Sequence, residues 1–390
     1  MELRSVRRRR RRRYRDGASV TIRSIAFYLP QFHPIPENDA WWGEGFTEWR
    51  NVRRARPRFR GHYQPHVPGE LGYYDLRDSD VRAAQAELAR SHGVSAFCYY
   101  HYWFNGHRVL ERPLDEVLAT GKPDFPFMVC WANENWTRVW DGGPNQVLLE
   151  QHYDHDDDRR HIRSLLPVLA DPRYLRQSGR PFLLIYRASA LPDPRRTTDI
   201  WREEAQRAGL GDLLLGRVES HLGDRGDPRP LGFDVGVEFA PDIGRLPPLV
   251  QPPRLGRAMR RVLRPHSPFR MNTVHDYRAL VDLALAKPDP EYPLFRCAAP
   301  GWDNSPRRDT GARIFRGADP EQFQRWFTAL TTSAPADGLV FVNAWNEWAE
   351  GAHLEPDQRF GRGYLEAHRE GMAAVLPGGS PTNRGAKGLS

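Results

Sequence analysis

Between residues 22 and 375 short apolar runs alternate with longer amphipathic ones. Eight of the short runs read as strands, at residues 24–29, 95–100, 127–131, 182–186, 213–218, 235–239, 294–298 and 339–344. Each is five or six residues long and nearly continuous in apolar side chains, the pattern of a strand buried on both faces. Helix-like runs follow most of them: 80–91 with Ser79 placed to cap it, 155–170, 197–208 stopped by Gly209, 276–286, 319–332 and 363–375. Residues 31–78 read as a long loop rich in Pro, Trp and Arg, and residues 241–272 as an irregular insertion. Strand–helix alternation predicts a parallel sheet, and eight repeats predict a single-domain (β/α)8 TIM barrel over residues 20–376, with long loops at its C-terminal face. The competing architecture is an open doubly wound sheet. No Gly-x-Gly-x-x-Gly or phosphate-binding loop follows the first strand to support it.

Charge changes the picture less than its total suggests. The net charge of +8 is carried entirely by residues 1–15, where nine arginines face the single acid Glu2. The other 375 residues are neutral overall, so the body offers no electrostatic case for nucleic acid or a membrane surface. Residues 1–19 are expected to be a disordered tail, as are residues 377–390. No apolar segment follows the arginines to make an export signal, and no run of 18 apolar residues predicts a membrane span. Cys98, Cys130 and Cys297 each sit inside an apolar run with no metal or disulfide spacing. Buried reduced thiols in a cytoplasmic protein are the expectation.

Barrel enzymes work at the loops that follow their strands, and here those loops carry the chemistry. Gln31 and His33 follow the first strand; His101, Tyr102 and Trp103 the second; Asn133, Glu134, Asn135 and Trp136 the third, whose last residue is Trp131. Glu238 ends the sixth, and Trp302 and Asn304 follow the seventh. After the eighth come Asn346, Glu347, Trp348 and Glu350. Aromatic platforms beside amides and carboxylates suit a sugar, with its apolar C–H faces and its rim of hydroxyls. Glu347 and Glu350 are three apart, so a helical turn sets their Cβ atoms roughly 5–6 Å from each other. Such a pair just past a strand is what acid/base work on a glycosidic bond requires. A Glu-x-x-Glu is also common as a solvated surface pair; the strand before it and the flanking Trp345 and Trp348 favour catalysis. His101 reads equally as a satisfied core histidine, and Asn133 with Glu134 as a buried hydrogen-bonding pair. Trp103, Trp131, Trp136 and Trp302 divide between core and platform. His152, His155 and Asp154, Asp156, Asp157 and Asp158 lack a metal-ligand spacing, and a solvated helix start accounts for them.

The quoted residues also resemble a known group. Tyr28-Leu29-Pro30-Gln31-Phe32-His33-Pro34, Trp41-Trp42-Gly43, Leu71-Gly72-Tyr73-Tyr74-Asp75-Leu76 and His101-Tyr102-Trp103-Phe104-Asn105-Gly106 form one set. Trp131-Ala132-Asn133-Glu134-Asn135-Trp136-Thr137, Gly301-Trp302-Asp303-Asn304 and Asn343-Ala344-Trp345-Asn346-Glu347-Trp348-Ala349-Glu350-Gly351 complete it. In this order, over residues 22 to 375, the chain resembles the WbsX-type proteins, which look like relatives of glycoside hydrolase family 99. The resemblance implies a (β/α)8 barrel acting on an oligosaccharide or polysaccharide without a metal or other cofactor. It further implies a retaining, endo-α-mannosidase-like mechanism. By the family 99 motif, Glu347 is the base acting on the sugar's 2-hydroxyl, through a 1,2-anhydro intermediate. Glu350 is then the acid, and afterwards the base, at the leaving oxygen. WbsX-type proteins are usually labelled glycosyltransferases of surface-polysaccharide or O-antigen synthesis, the alternative activity. A non-catalytic sugar-binding barrel would be expected to have lost one of the two carboxylates.

Overall fold

The structure, a computed structural model, describes residues 21–137, 146–250 and 271–375. The arginine-rich start, the tail from residue 377 and residues 254–270 of the insertion lie outside the described residues. The strands are β1 (Arg23–Tyr28), β2 (Val94–Phe104), β3 (Phe127–Trp131), β4 (Arg180–Ile185), β5 (Leu214–Glu219), β6 (Val235–Glu238), a divided β7 and β8 (Leu339–Val342). Every pairing around the ring is parallel, in sequence order from β1 to β6, with β8 on the other side of β1. The divided β7 consists of Leu294–Phe295, paired with β6, and Cys297–Ala298, paired with β8. The sheet thereby returns on itself as a nearly closed barrel. The expected seventh strand, 294–298, is interrupted at Arg296. Its side chain turns away to Glu238, Asp289 and the carbonyls of Lys287 and Pro288.

The barrel interior is aromatic. Phe27 of β1 stacks on Tyr100 of β2, with ring centroids 5.6 Å apart, and meets Phe239 and Phe341. Phe341 in turn packs on Phe182 and Phe295. Such rings bury large areas and fill the interior as a packed core rather than a pore. Gly216 of β5 makes room for them: a Cβ there would lie 2.6 Å from Leu184 and 2.8 Å from Phe182.

Helices α3 (Ser79–Ser91), α5 (His155–Ala170), α6 (Pro194–Arg207), α7 (Tyr277–Leu285), α8 (Pro320–Ser333) and α9 (Gly363–Ala373) match the amphipathic runs. Three further helices were not anticipated. Two of seven residues, α1 (Pro36–Trp42) and α2 (Glu48–Arg54), stand in the 31–78 loop. The third is α4 (Arg112–Thr120). The cap of α3 is Asp78, with Ser79 as the first helical residue. Asp154, Asp193, Asp276 and Asp319 likewise accept backbone N–H bonds at the starts of α5, α6, α7 and α8. Caps of this kind are worth about 1 kcal/mol each. The start of α5 is less solvated than expected. Asp157 and Asp158 are buried, accepting hydrogen bonds from Trp103 Nε1 (3.0 Å) and Thr197 Oγ1 (2.9 Å).

Candidate active site

The loops at the C-terminal ends of the strands enclose a cavity of about 770 Å3. From β8 the chain runs through Asn343 and Ala344 to a short antiparallel pair, Asn346–Glu347 with Ala352–His353. Between its arms lies one 3-10 turn, Trp348–Glu350, not the α-helical turn expected from the spacing. In a 3-10 turn residues three apart eclipse one another, and Glu347 and Glu350 both face the cavity. Gly351 closes the turn with φ of 59°, and a Cβ there would lie 3.2 Å from Asp303. Backbone conformation and close approach both demand glycine.

At the cavity floor one guanidinium binds three carboxylates. Arg307, in the 3-10 turn Ser305–Arg307 after β7, places Nη2 3.1 Å from Glu347 Oε2 and Nη1 2.7 Å from Glu350 Oε1. Its Nε lies 3.1 Å from Glu48 Oε2, brought in by α2. Burial works against the Arg307 charge, but Glu48, Glu347 and Glu350 together raise it above the usual arginine range. Burial also pushes the Glu347 carboxyl up to about 8; Glu350 and Glu48 add to the rise, and Arg307 opposes it. Glu350 is raised too, by burial, with Arg307 again opposing. Three acids crowded around one largely buried cation disfavour full ionisation near neutrality. Burial and mutual repulsion favour one proton retained within the Glu347–Glu350 pair.

The cavity brings together Gln31, Tyr102, Asn133, Glu134, Asn135, Trp136, Glu347 and Glu350 from the sequence reading. Glu134 Oε1 is bound by Arg187 Nη1 (3.1 Å) and His221 Nε2 (3.3 Å). Asn133 exchanges two 2.8 Å hydrogen bonds with the Arg187 backbone, pinning the β3 loop to the β4 loop. Asn135 accepts the Gln151 amide at 2.7 Å. Trp136 forms a wall with Trp41 and Tyr102, edge to face.

Other candidates do not line the cavity. His101 and Trp103 stack on His161 of α5, and Trp131 packs on His161 and Trp201. His33 is buried, with burial lowering its ring to about 4. Glu238 is paired with Lys287 and Arg296 and accepts the Cys297 amide. Trp302 meets Phe239 edge-on but lines a separate cavity of about 90 Å3 with His62 and His66. Asn304 accepts the Arg313 amide at 2.8 Å. Asn346 binds both backbone groups of Leu29, and Trp348 donates to Glu355.

Strand alternation explains much of this division. On β2, Tyr100 and Tyr102 face the cavity, while His101 and Trp103 face α5. Phe239 faces inward where Glu238 faces out. The same alternation, applied to the sequence, would have selected Tyr100. Arg307 and Glu48, which sequence reasoning missed, stand on a three-residue 3-10 turn and at the start of the seven-residue α2, elements too short for a period to mark the inward face.

Among the described residues, one group could present three ligand atoms to a metal ion: His66, His353 and Asp357, within 4.8 Å of one another. These groups are engaged with other partners. His66 Nδ1 and His353 Nε2 share a 2.8 Å hydrogen bond. Asp357 accepts from Tyr63 OH and the Arg359 and Phe360 amides. No helix among the described residues is long and apolar enough to cross a membrane.

Comparison with known proteins agrees with this architecture. The family model described as Glycosyltransferase WbsX matches residues 24–368. Two curated proteins, each described as uncharacterized protein WxcX, come from two strains of Xanthomonas campestris pv. campestris. Each is 45% identical over 353 residues, covering 89% of this chain and 49% of the relative. The chain thus spans about half the length of the curated relatives it matches. A GH99 endo-alpha-mannosidase from Bacteroides thetaiotaomicron superposes with a TM-score of 0.51 at 16% identity, covering 90% of this chain and 97% of that one. A glycoside hydrolase-like protein superposes with a TM-score of 0.57 at 14% identity, covering 91% and 95%. At these identities the structural likeness is one of fold. The family match extends over nearly all the described residues, and the chain belongs to the WbsX glycosyltransferase family.

Proposed function

We propose that the protein is a retaining, endo-α-mannosidase-like glycoside hydrolase acting on a surface polysaccharide or oligosaccharide. The observation that carries this reading is the placement of Glu347 and Glu350 on the two terminal nitrogens of one buried guanidinium, facing an aromatic-walled cavity. Glu347 takes the proton of the sugar's 2-hydroxyl as that oxygen closes on the anomeric carbon. Glu350 protonates the departing oxygen and later activates the water that opens the 1,2-anhydro ring. Substrate can itself set the protons for this. A 2-hydroxyl donating to Glu347 favours its ionised form, and a glycosidic oxygen accepting from Glu350 favours its protonated form. Binding thereby places the pair's shared proton on Glu350. Arg307 holds the pair in place while charge shifts between its members.

The family's own description favours a second reading, glycosyl transfer in surface-polysaccharide or O-antigen synthesis. One experiment separates the two. The protein is incubated with a panel of bacterial surface polysaccharides, with and without nucleotide sugars, and released sugar and released nucleotide are measured. Sugar released without any nucleotide supports hydrolysis. Nucleotide release coupled to acceptor growth, with no sugar freed, overturns it.

A further inference from the structure

Glu355 lies in the segment that leaves the catalytic turn, and its side chain is 1% exposed. Its Oε2 accepts from Trp348 Nε1 at 2.6 Å and from Tyr74 OH at 2.8 Å. Its Oε1 accepts from Gln85 Nε2 at 2.6 Å. None of these donors is a cation, and a buried carboxyl without a cationic partner is costly to keep. A core with no further task would be better served by an apolar side chain at this position.

The donors show what the carboxyl does. Trp348 follows Glu347 directly, and its indole also stacks on His353 with ring centroids 3.8 Å apart. Tyr74 OH accepts from Asn346 Nδ2 at 3.3 Å, and Asn346 directly precedes Glu347. Gln85, on α3, accepts from Tyr28 OH of β1 at 2.7 Å and so ties the assembly to the barrel. We infer that Glu355 is a positioning residue, which holds Glu347 at the cavity floor by clamping the residues on either side of it. Glu347 itself ends a two-residue strand and caps a three-residue 3-10 turn, with little local structure to fix it. Displacements of about 1 Å at a reacting group can cost a hundredfold in rate, so a second anchor has a use. Of the titratable groups around Glu355, Tyr74, Tyr28 and His353 are uncharged near neutrality, and the buried Arg82 is the nearby cation, acting on Tyr28. Burial raises Tyr74 and Tyr28 far above their usual range and lowers His353.

The inference rests on reading Glu347 as a catalytic carboxyl, so its test includes a readout independent of turnover. In substrate-free protein labelled with 13C at glutamate Cδ, the Glu347 resonance is assigned by its loss in Glu347→Gln and titrated by NMR. Glu355→Leu removes the acceptors for Trp348 and Tyr74. It should make Glu347 titrate about one pH unit or more lower, as water reaches the loosened turn. On any substrate found, kcat should fall about tenfold or more with KM little changed. Glu355→Gln keeps an acceptor toward Trp348 and Tyr74, and a flip of Gln85 accommodates its amide; it should restore most of both properties. If Glu355→Leu does not fold, Trp348→Phe, which deletes the N–H donor with the five-membered ring and keeps a six-membered ring over His353, gives the same reading. Folded variants in which Glu347 titrates as in wild type overturn the inference, as does a Gln variant no better than Leu. A protein that hydrolyses nothing leaves this titration intact and refutes only the proposed activity.

Discussion

Arg307 Nη2 lies 3.1 Å from Glu347 Oε2, and both side chains are more than nine-tenths buried. The pair is the centre of the site's electrostatics, because the same guanidinium also serves Glu350 and Glu48. A lone buried ion pair is weak evidence for stability. A cation shared among three acids instead fixes where a proton can reside, and that is open to measurement.

Glu48 offers the first handle. It touches Arg307 but belongs to α2, outside the catalytic loop, and its charge helps raise both Glu347 and Glu350. Glu48→Gln removes that charge, so the carboxyl that titrates at about 8 should titrate lower. The alkaline limb of the kcat/KM profile, which reports the free enzyme, should move to lower pH. An unmoved or upward-shifted limb would show that Glu48 is not electrostatically joined to the pair.

Trp136 tests the wall. Its ring meets Trp41, Tyr102 and Phe104 edge to face, and it lines the cavity. Trp136→Ala should raise KM roughly two- to tenfold, the worth of one aromatic contact, with kcat nearly unchanged. A loss confined to kcat would place the ring in the chemistry rather than in binding.

Buried histidines set the acid side of stability. Burial lowers His33 and His368 to about 4 and His101 to about 3, and His161 well below its usual range. Unfolded, each takes a proton below pH about 6.5; folded, each stays neutral until far lower. The unfolded chain therefore binds more protons in this window, and stability falls as pH drops from about 6.5 towards 4, by roughly 1.4 kcal/mol per pH unit for each histidine. Burial raises Glu347 to about 8 and Glu355 to about 7, and raises Glu350, Glu219, Asp157 and Asp158 as well; these act in the opposite direction, while His66, lowered to about 3, His353 and His275 add to the histidine side. The melting temperature should be lower at pH 5 than at pH 7. An equal or higher value at pH 5 would mean that these rings are solvated.

Much of the barrel was legible because buried parallel strands are continuous apolar runs, and each of the eight runs overlaps a strand. Arg296 breaks the seventh for a reason local pattern does not carry: its partners Glu238 and Asp289 lie elsewhere in the chain. Helices α1 and α2 escaped notice because seven residues hold too few turns to show a period. At the site, Glu347 and Glu350 stood out through their spacing and the strand before them. Arg307 did not, because in a chain with 57 lysines and arginines nothing local marks the one buried among carboxylates. His101, Trp103 and Trp131 drew attention by residue type, although strand alternation turns them towards helices.

The central claim is that Glu347 and Glu350 together carry the chemistry, and sugar release by Glu347→Gln and Glu350→Gln measures it most directly. Glutamine keeps size and hydrogen bonding but cannot titrate. Each variant should stay folded, bind substrate through the intact cavity walls and lose about 10²–10⁴-fold in turnover. A substrate with an activated leaving group should return part of the rate to Glu350→Gln alone, because its departure needs less protonation. Near-wild-type sugar release by both variants would contradict the account and move the chemistry to another carboxylate, with Glu134 the next on the cavity wall.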